Sequence, residues 1–143
     1  MQLDSQVSGI AHVIQLAVAP VFLLSGVGVI LTVLTNRLAR IIDRARALEG
    51  GSHPHVADPH FELGTLSRRA HLIHRAITLT TSTALLICAV IVTLFLGAVL
   101  GRDLSGVIGL LFITAMLAFI AALLHFLREI FLATATLRFG PPA

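Results

Sequence analysis

Apolar residues run almost unbroken through three stretches of the chain, Val13 to Leu34, Ile77 to Leu100 and Ser105 to Leu127. Each is long enough to cross a hydrocarbon core, for which a helix needs about 20 residues. Outside these stretches the pattern becomes periodic. Leu34, Leu38, Ile41, Ala45 and Leu48 recur at alternating steps of four and three, the seam of a helix packed as a coiled coil. The first membrane helix should therefore continue beyond the apolar run. Glu49-Gly50-Gly51 supplies a helix stop, Ser52 to Ala57 reads as a loop containing Pro54 and two histidines, and Asp58-Pro59 reads as a cap followed by proline at the first helical position. From there Leu63, Leu66, Ala70, Ile73, Ile77, Thr80, Ala84 and Ile87 carry the same alternation into the second apolar run. The pattern predicts an all-α membrane protein forming one domain over residues 1–143, with transmembrane helices at about 13–35, 77–100 and 105–127. Its first two helices are expected to extend into a cytoplasmic antiparallel coiled-coil hairpin over about 36–76, projecting on the order of 20 Å at 1.5 Å per residue.

Composition excludes a water-soluble globule. Hydrophobic residues make up 57% of the chain and charged residues only 12%, and so much apolar surface cannot be hidden inside a domain of this size. Charge then fixes the expected orientation. Seven of the ten basic residues, all arginine, lie between the first two spans: Arg37, Arg40, Arg44, Arg46, Arg68, Arg69 and Arg75. The other side of the membrane carries Asp4 and the Arg102-Asp103 pair. By the positive-inside rule the N-terminus is outside, the long link and the C-terminal tail are cytoplasmic, and the turn from Gly101 to Leu104 is outside. Arg128 and Arg138, beyond the third span, agree with this orientation. The basic excess thus points to the bilayer and argues against nucleic acid. Ala17-Val18-Ala19 superficially resembles a signal-peptide cleavage site, but Pro20 follows directly and no basic residue precedes the run, so the first span is expected to be permanent. Cys88, the single cysteine, lies mid-span and reads as a small packing residue.

The string Thr35-Asn36-Arg37-Leu38-Ala39-Arg40-Ile41-Ile42-Asp43-Arg44-Ala45-Arg46, with Pro20-Val21-Phe22-Leu23-Leu24 before it and Arg68-Arg69 after it, is dense enough to be diagnostic. It resembles a family of small bacterial integral membrane proteins catalogued only as a domain of unknown function, and the resemblance covers nearly the whole chain. It implies a three-span helical protein of bacterial origin, for which the expected location is the bacterial cytoplasmic (inner) membrane. It implies no settled activity, substrate or cofactor.

Several residues could carry function. Ser25, Gly28, Thr32, Thr35 and Asn36 form a polar or small stripe on the first span that continues toward Asp43, and such a stripe can line a water-filled path. Small residues equally let helices pack closely, and hydroxyls in membrane helices often bond their own backbone carbonyls. Asn36, Arg40 and Asp43 share one face at the cytoplasmic end, where an oligomer would gather them into rings or pair them as an assembly clamp. Pro20 and Gly26 are candidate hinge residues. Arg37, Arg44, Arg68, Arg69 and Arg75 are candidates for anionic lipid head groups or a protein partner, with Asp43, Glu49 and Glu62 as available anionic neighbours.

Other constellations point less sharply. His53, His55, Asp58 and His60 in the loop, with His71 and His74 on the second arm, invite a metal, yet they match no zinc spacing and no metal or other cofactor is expected. His125 and Glu129 stand four apart with Arg128 beside them. A proton relay uses such a pair, but a helix end whose charged groups snorkel to water is the simpler expectation. No phosphate loop, catalytic triad or paired carboxylates occur, so an enzyme is not expected. Three spans enclose a pathway poorly. The leading expectation is therefore a homo-oligomeric pore or channel for a small inorganic ion, lined by the polar face of the first helix. The alternative is a membrane scaffold or regulatory protein that presents its basic hairpin to anionic lipid or to a protein partner.

Overall fold

The computed structural model describes residues 2–50 and 59–135, with side chains described over 9–50 and 63–134. His53, Pro54, His55 and Asp58 of the expected loop and Arg138 of the tail lie outside the described residues, as do the side chains of Asp4, His60 and Glu62. Three helices account for the described chain: α1 (Gln2–Glu49), α2 (Pro59–Leu100) and α3 (Ser105–Ala135). All three are long and apolar enough to cross a membrane, the mark of a multi-pass membrane protein.

The helix ends follow from local chemistry. Gly50 donates its amide to the Arg46 carbonyl at 2.9 Å and closes α1, whereas α2 begins on Pro59, whose missing amide hydrogen costs nothing in a first turn. At the other end of α2, Gly101 adopts φ +60°, the only positive φ among the described residues. Arg102 then donates its amide to the Gly97 carbonyl at 3.1 Å, the six-to-one bond of a Schellman stop. A Cβ on Gly97 would stand 3.3 Å from the Arg102 carbonyl oxygen, so glycine there makes room for the reversal. Asp103 next accepts the Ser105 amide at 3.0 Å, and the Ile108 amide meets the Leu104 carbonyl to start α3. The α1 helix continues through Pro20, which is buried.

Two compact units divide the chain, each drawing on all three helices. Residues 1–30 and 80–119 form the first. Its core is Val27, Ile87 and Ala115, one residue per helix, flanked by Leu23, Leu24, Ile91 and Phe119. Thr83 is fully buried there and donates its hydroxyl to the Ala115 carbonyl at 3.4 Å, an interhelical bond that needs the small Ala115 to let α2 and α3 come close. An open, mainly apolar groove of about 650 Å³ runs past Leu16, Pro20, Val90 and Phe112 to Arg102 and Asp103.

Residues 31–79 and 120–143 form the second unit. Leu34, Ile41 and Leu48 of α1, Leu66 and Ile73 of α2, and Ala122 and Glu129 of α3 are buried in it, each set spaced by seven residues. Leu38 and Ala45, also expected on the α1 seam, are half-buried.

Candidate functional site: a buried glutamate shared by two arginines

In the second unit the sevenfold register places a charge where an apolar residue is expected. Glu129 follows Ala122 by one heptad, and its side chain is 0% exposed. Its partners reach it from the other two helices. Arg69 of α2 donates from Nε at 3.1 Å and from Nη2 at 2.8 Å, both to Glu129 Oε1. Arg37 of α1 brings Nη2 to 3.0 Å from Oε2. That distance makes an ion pair, but the direction is wrong for a hydrogen bond, and Oε2 accepts none. The Arg37 guanidinium also lies over the Phe126 ring, 5.4 Å from its centroid, which adds a cation–π contact.

One carboxylate thus ties three helices together. The cluster is asymmetric, with one oxygen doubly bonded and the other facing a poorly aligned cation. Its formal charge is +1, from two arginines and one glutamate. Both arginine side chains keep some contact with the outside, Arg37 being 34% exposed and Arg69 21%. One turn before Glu129, His125 Nδ1 is buried without a hydrogen-bond partner.

Glu129 is the residue that sequence reasoning misplaced. Snorkelling to water was expected at this helix end, and the side chain instead turns inward, because two cations from neighbouring helices make burial affordable. A signal for this existed. Arg37 stands three after Leu34 and four before Ile41, Arg69 stands likewise between Leu66 and Ile73, and Glu129 continues the register of Ala115 and Ala122. All three occupy positions at which a helix faces its neighbours.

Of the residues expected to meet lipid or a partner, Arg37 and Arg69 therefore converge on Glu129, whereas Arg44, Arg68 and Arg75 are exposed and do not join them. On α1, Ser25 and Gly28 in the first unit and Thr32, Thr35, Asn36, Arg40 and Asp43 in the second are all exposed. Ser25 donates to the Val21 carbonyl at 3.3 Å, and Thr35 to those of Leu31 and Thr32 at 3.0 Å each, so these hydroxyls do serve their own helix. Gly26 is exposed with open space around it. Cys88, expected as a packing residue, is exposed on α2. His71 and His74 are exposed, and no group of three His, Cys, Asp or Glu side chains converges among the described residues.

Three long apolar helices joined by an interior Arg–Glu–Arg cluster define a small polytopic helical membrane protein. Residues 17–139 match the family model described as "Protein of unknown function (DUF2721)", and the chain belongs to that family. Comparison with curated proteins found no match, and neither did comparison with solved structures.

Proposed function

We propose that the chain assembles as a homo-oligomer around the polar face of α1 and conducts a small inorganic ion across the bacterial cytoplasmic membrane. One observation carries this reading: Ser25, Gly28, Thr32, Thr35, Asn36, Arg40 and Asp43 are all exposed on the protomer. At about 100° per residue, they centre on the side of α1 opposite its buried positions Val27, Leu34 and Ile41. Ionisable side chains on a membrane helix avoid lipid and face a partner or water, and Arg40 and Asp43 stand on this face. Copies of the chain meeting along this face would both cover it and enclose a path. The protomer's own interior is an unsuitable path, since side chains such as Val27, Ile87 and Ala115 fill it.

In this reading the N-terminus is outside. The arms over 36–49 and 59–76 stand in the cytoplasm as an antiparallel coiled coil, and Asn36, Arg40 and Asp43 ring the inner mouth. Cation and anion flux into liposomes carrying the purified protein tests the proposal. Flux above that of empty liposomes, with conductance or ion preference altered by Asp43→Asn, is expected. Absence of flux for both ions, with the protein inserted and assembled, would overturn it.

The exposure of Arg44, Arg68 and Arg75 favours a second reading, a scaffold that shows basic arms to anionic lipid or a protein partner. Charge reversal at Arg68 and Arg75 would then abolish capture and leave permeability untouched.

A further inference from the structure

The geometry points to Arg37 and Arg69, held in place by the buried Glu129, as a binding site for a phosphate group, either a lipid head group or free phosphate. This goes beyond the pore and does not depend on it, because the site lies within one protomer and uses none of the residues assigned to the conducting face.

Donor number is the first argument. Two guanidiniums carry ten N–H bonds between them. Glu129 engages the Nε and Nη2 groups of Arg69 and faces Nη2 of Arg37. The other N–H groups make no contact with Glu129, and both side chains are partly exposed, which leaves donors for a ligand. Charge is the second argument. The cluster carries a formal surplus of +1, and since Glu129 is fully buried while both arginines are only partly so, the cations stand between the carboxylate and any approaching anion. Rigidity is the third. Arg69 is held by two hydrogen bonds, and Arg37 more loosely by the Phe126 ring and an unaligned ion pair, so part of the side-chain entropy is already lost before binding. A planar fork held this way suits the oxygens of a phosphate, which accept paired N–H bonds.

Sequence position completes the case. Arg37 stands three residues past the end of the first apolar run at Leu34, and Glu129 two past the end of the third at Leu127. Apolar helices emerge from the hydrocarbon at the level of lipid phosphates. Glu129 is in this scheme a positioning residue: it aims the arginines and does not touch the ligand.

The test uses the full chain, delipidated in non-ionic detergent. Inorganic phosphate, phosphatidylglycerol and, as a lipid lacking phosphate, diacylglycerol are titrated separately, with calorimetry for affinity and native mass spectrometry for stoichiometry. One phosphate-bearing ligand per chain is expected, with diacylglycerol not retained. Binding of inorganic phosphate assigns the site to the free anion, and binding of phosphatidylglycerol alone assigns it to a head group. Arg69→Gln and Arg37→Gln should each weaken binding roughly tenfold or more, the loss of a charge-assisted hydrogen bond. Arg46→Gln, an exposed arginine elsewhere on α1, should change little.

Glu129→Gln is the discriminating variant. Charge alone predicts tighter anion binding when a negative group is removed, whereas a positioning role predicts weaker binding. If that variant fails to fold, Arg37→Lys and Arg69→Lys take its place: they keep the charge, lose the fork and should still weaken binding. Failure of both phosphate and phosphatidylglycerol to bind the unmodified chain would overturn the inference. So would tighter binding by Glu129→Gln, undiminished binding by both lysine variants, or a loss with Arg46→Gln as large as that with Arg69→Gln.

Discussion

Replacing Glu129 tests whether the three helices of the second unit depend on one carboxylate. Removing one member of a fully buried ion pair typically costs about 3–5 kcal/mol, because its partner is left desolvated and unpaired. Here the arginines retain 34% and 21% exposure, so water compensates them in part and the lower end of that range applies. Glu129→Ala is expected to destabilise by about 3 kcal/mol, and Glu129→Gln by about 2 kcal/mol, since an amide oxygen still accepts from Arg69. The two arginines should not contribute equally. Arg69 makes two charge-assisted hydrogen bonds to one oxygen, and sharing that oxygen keeps their joint value to about 2 kcal/mol. Arg37 offers distance without alignment, so its coupling to Glu129 should be about 1 kcal/mol or less. Double-mutant cycles pairing Glu129→Gln with Arg69→Gln and with Arg37→Gln, read by SDS-driven unfolding in mixed micelles, separate the two terms. A coupling for Arg37 equal to or above that for Arg69 would refute the reasoning, as would a cost below about 0.5 kcal/mol for Glu129→Gln, the level of an ordinary surface change.

The turn and the first unit offer independent checks. Gly101→Ala should destabilise by about 1–2 kcal/mol in the same unfolding assay, since an L side chain at φ +60° is strained even though no atom lies within 4 Å of the added Cβ. Ile87→Ala, truncating a fully buried core residue, should cost about 2–5 kcal/mol in that assay. Asp103 should titrate below the ordinary 3.8, chiefly because the Ser105 amide donates to its carboxylate and secondarily through the Ser105 side chain. A depressed folded pKa contributes stability above the unfolded value and loses it as pH falls through the folded one. Side-chain NMR should therefore show an Asp103 midpoint under 3.8, with the Ser105 amide shift following the same curve. The variant Asp103→Asn should remove that transition.

Much of this architecture was legible because membrane helices announce themselves by composition, and because punctuation marks their ends. Glu49-Gly50 and Pro59 stand where α1 stops and α2 starts, and Gly101 is where the chain reverses. Helix length was less legible: α1 begins at Gln2 and α3 reaches Ala135, beyond the apolar runs, because helix propensity does not end where the hydrocarbon-spanning run does. The Arg–Glu–Arg cluster was the feature least accessible to hydropathy. A seam drawn through Leu34, Leu38 and Ile41 treats Arg37 as an outward residue, yet Arg37 is as well phased with Leu34 and Ile41 as Leu38 is. Only the opposite charge on a third helix reveals that it turns inward, and a sequence scanned one helix at a time does not join residues 37, 69 and 129.

That joining divides the arginines into two groups with different physics. Arg40, Arg44, Arg68 and Arg75 are exposed. Interactions of exposed charges with lipid or partner fade with salt over roughly 8–10 Å. Arg37 and Arg69 are anchored to a fully buried carboxylate, where screening is weak and geometry counts for more than net charge. Salt therefore separates the two roles. Contacts made through the exposed arginines should weaken steeply as ionic strength rises, whereas the Arg69–Glu129 coupling should hold nearly constant across the same range. A cluster whose coupling collapsed along with the surface contacts would be solvated, and neither the clamp on three helices nor the phosphate site could then rest on it.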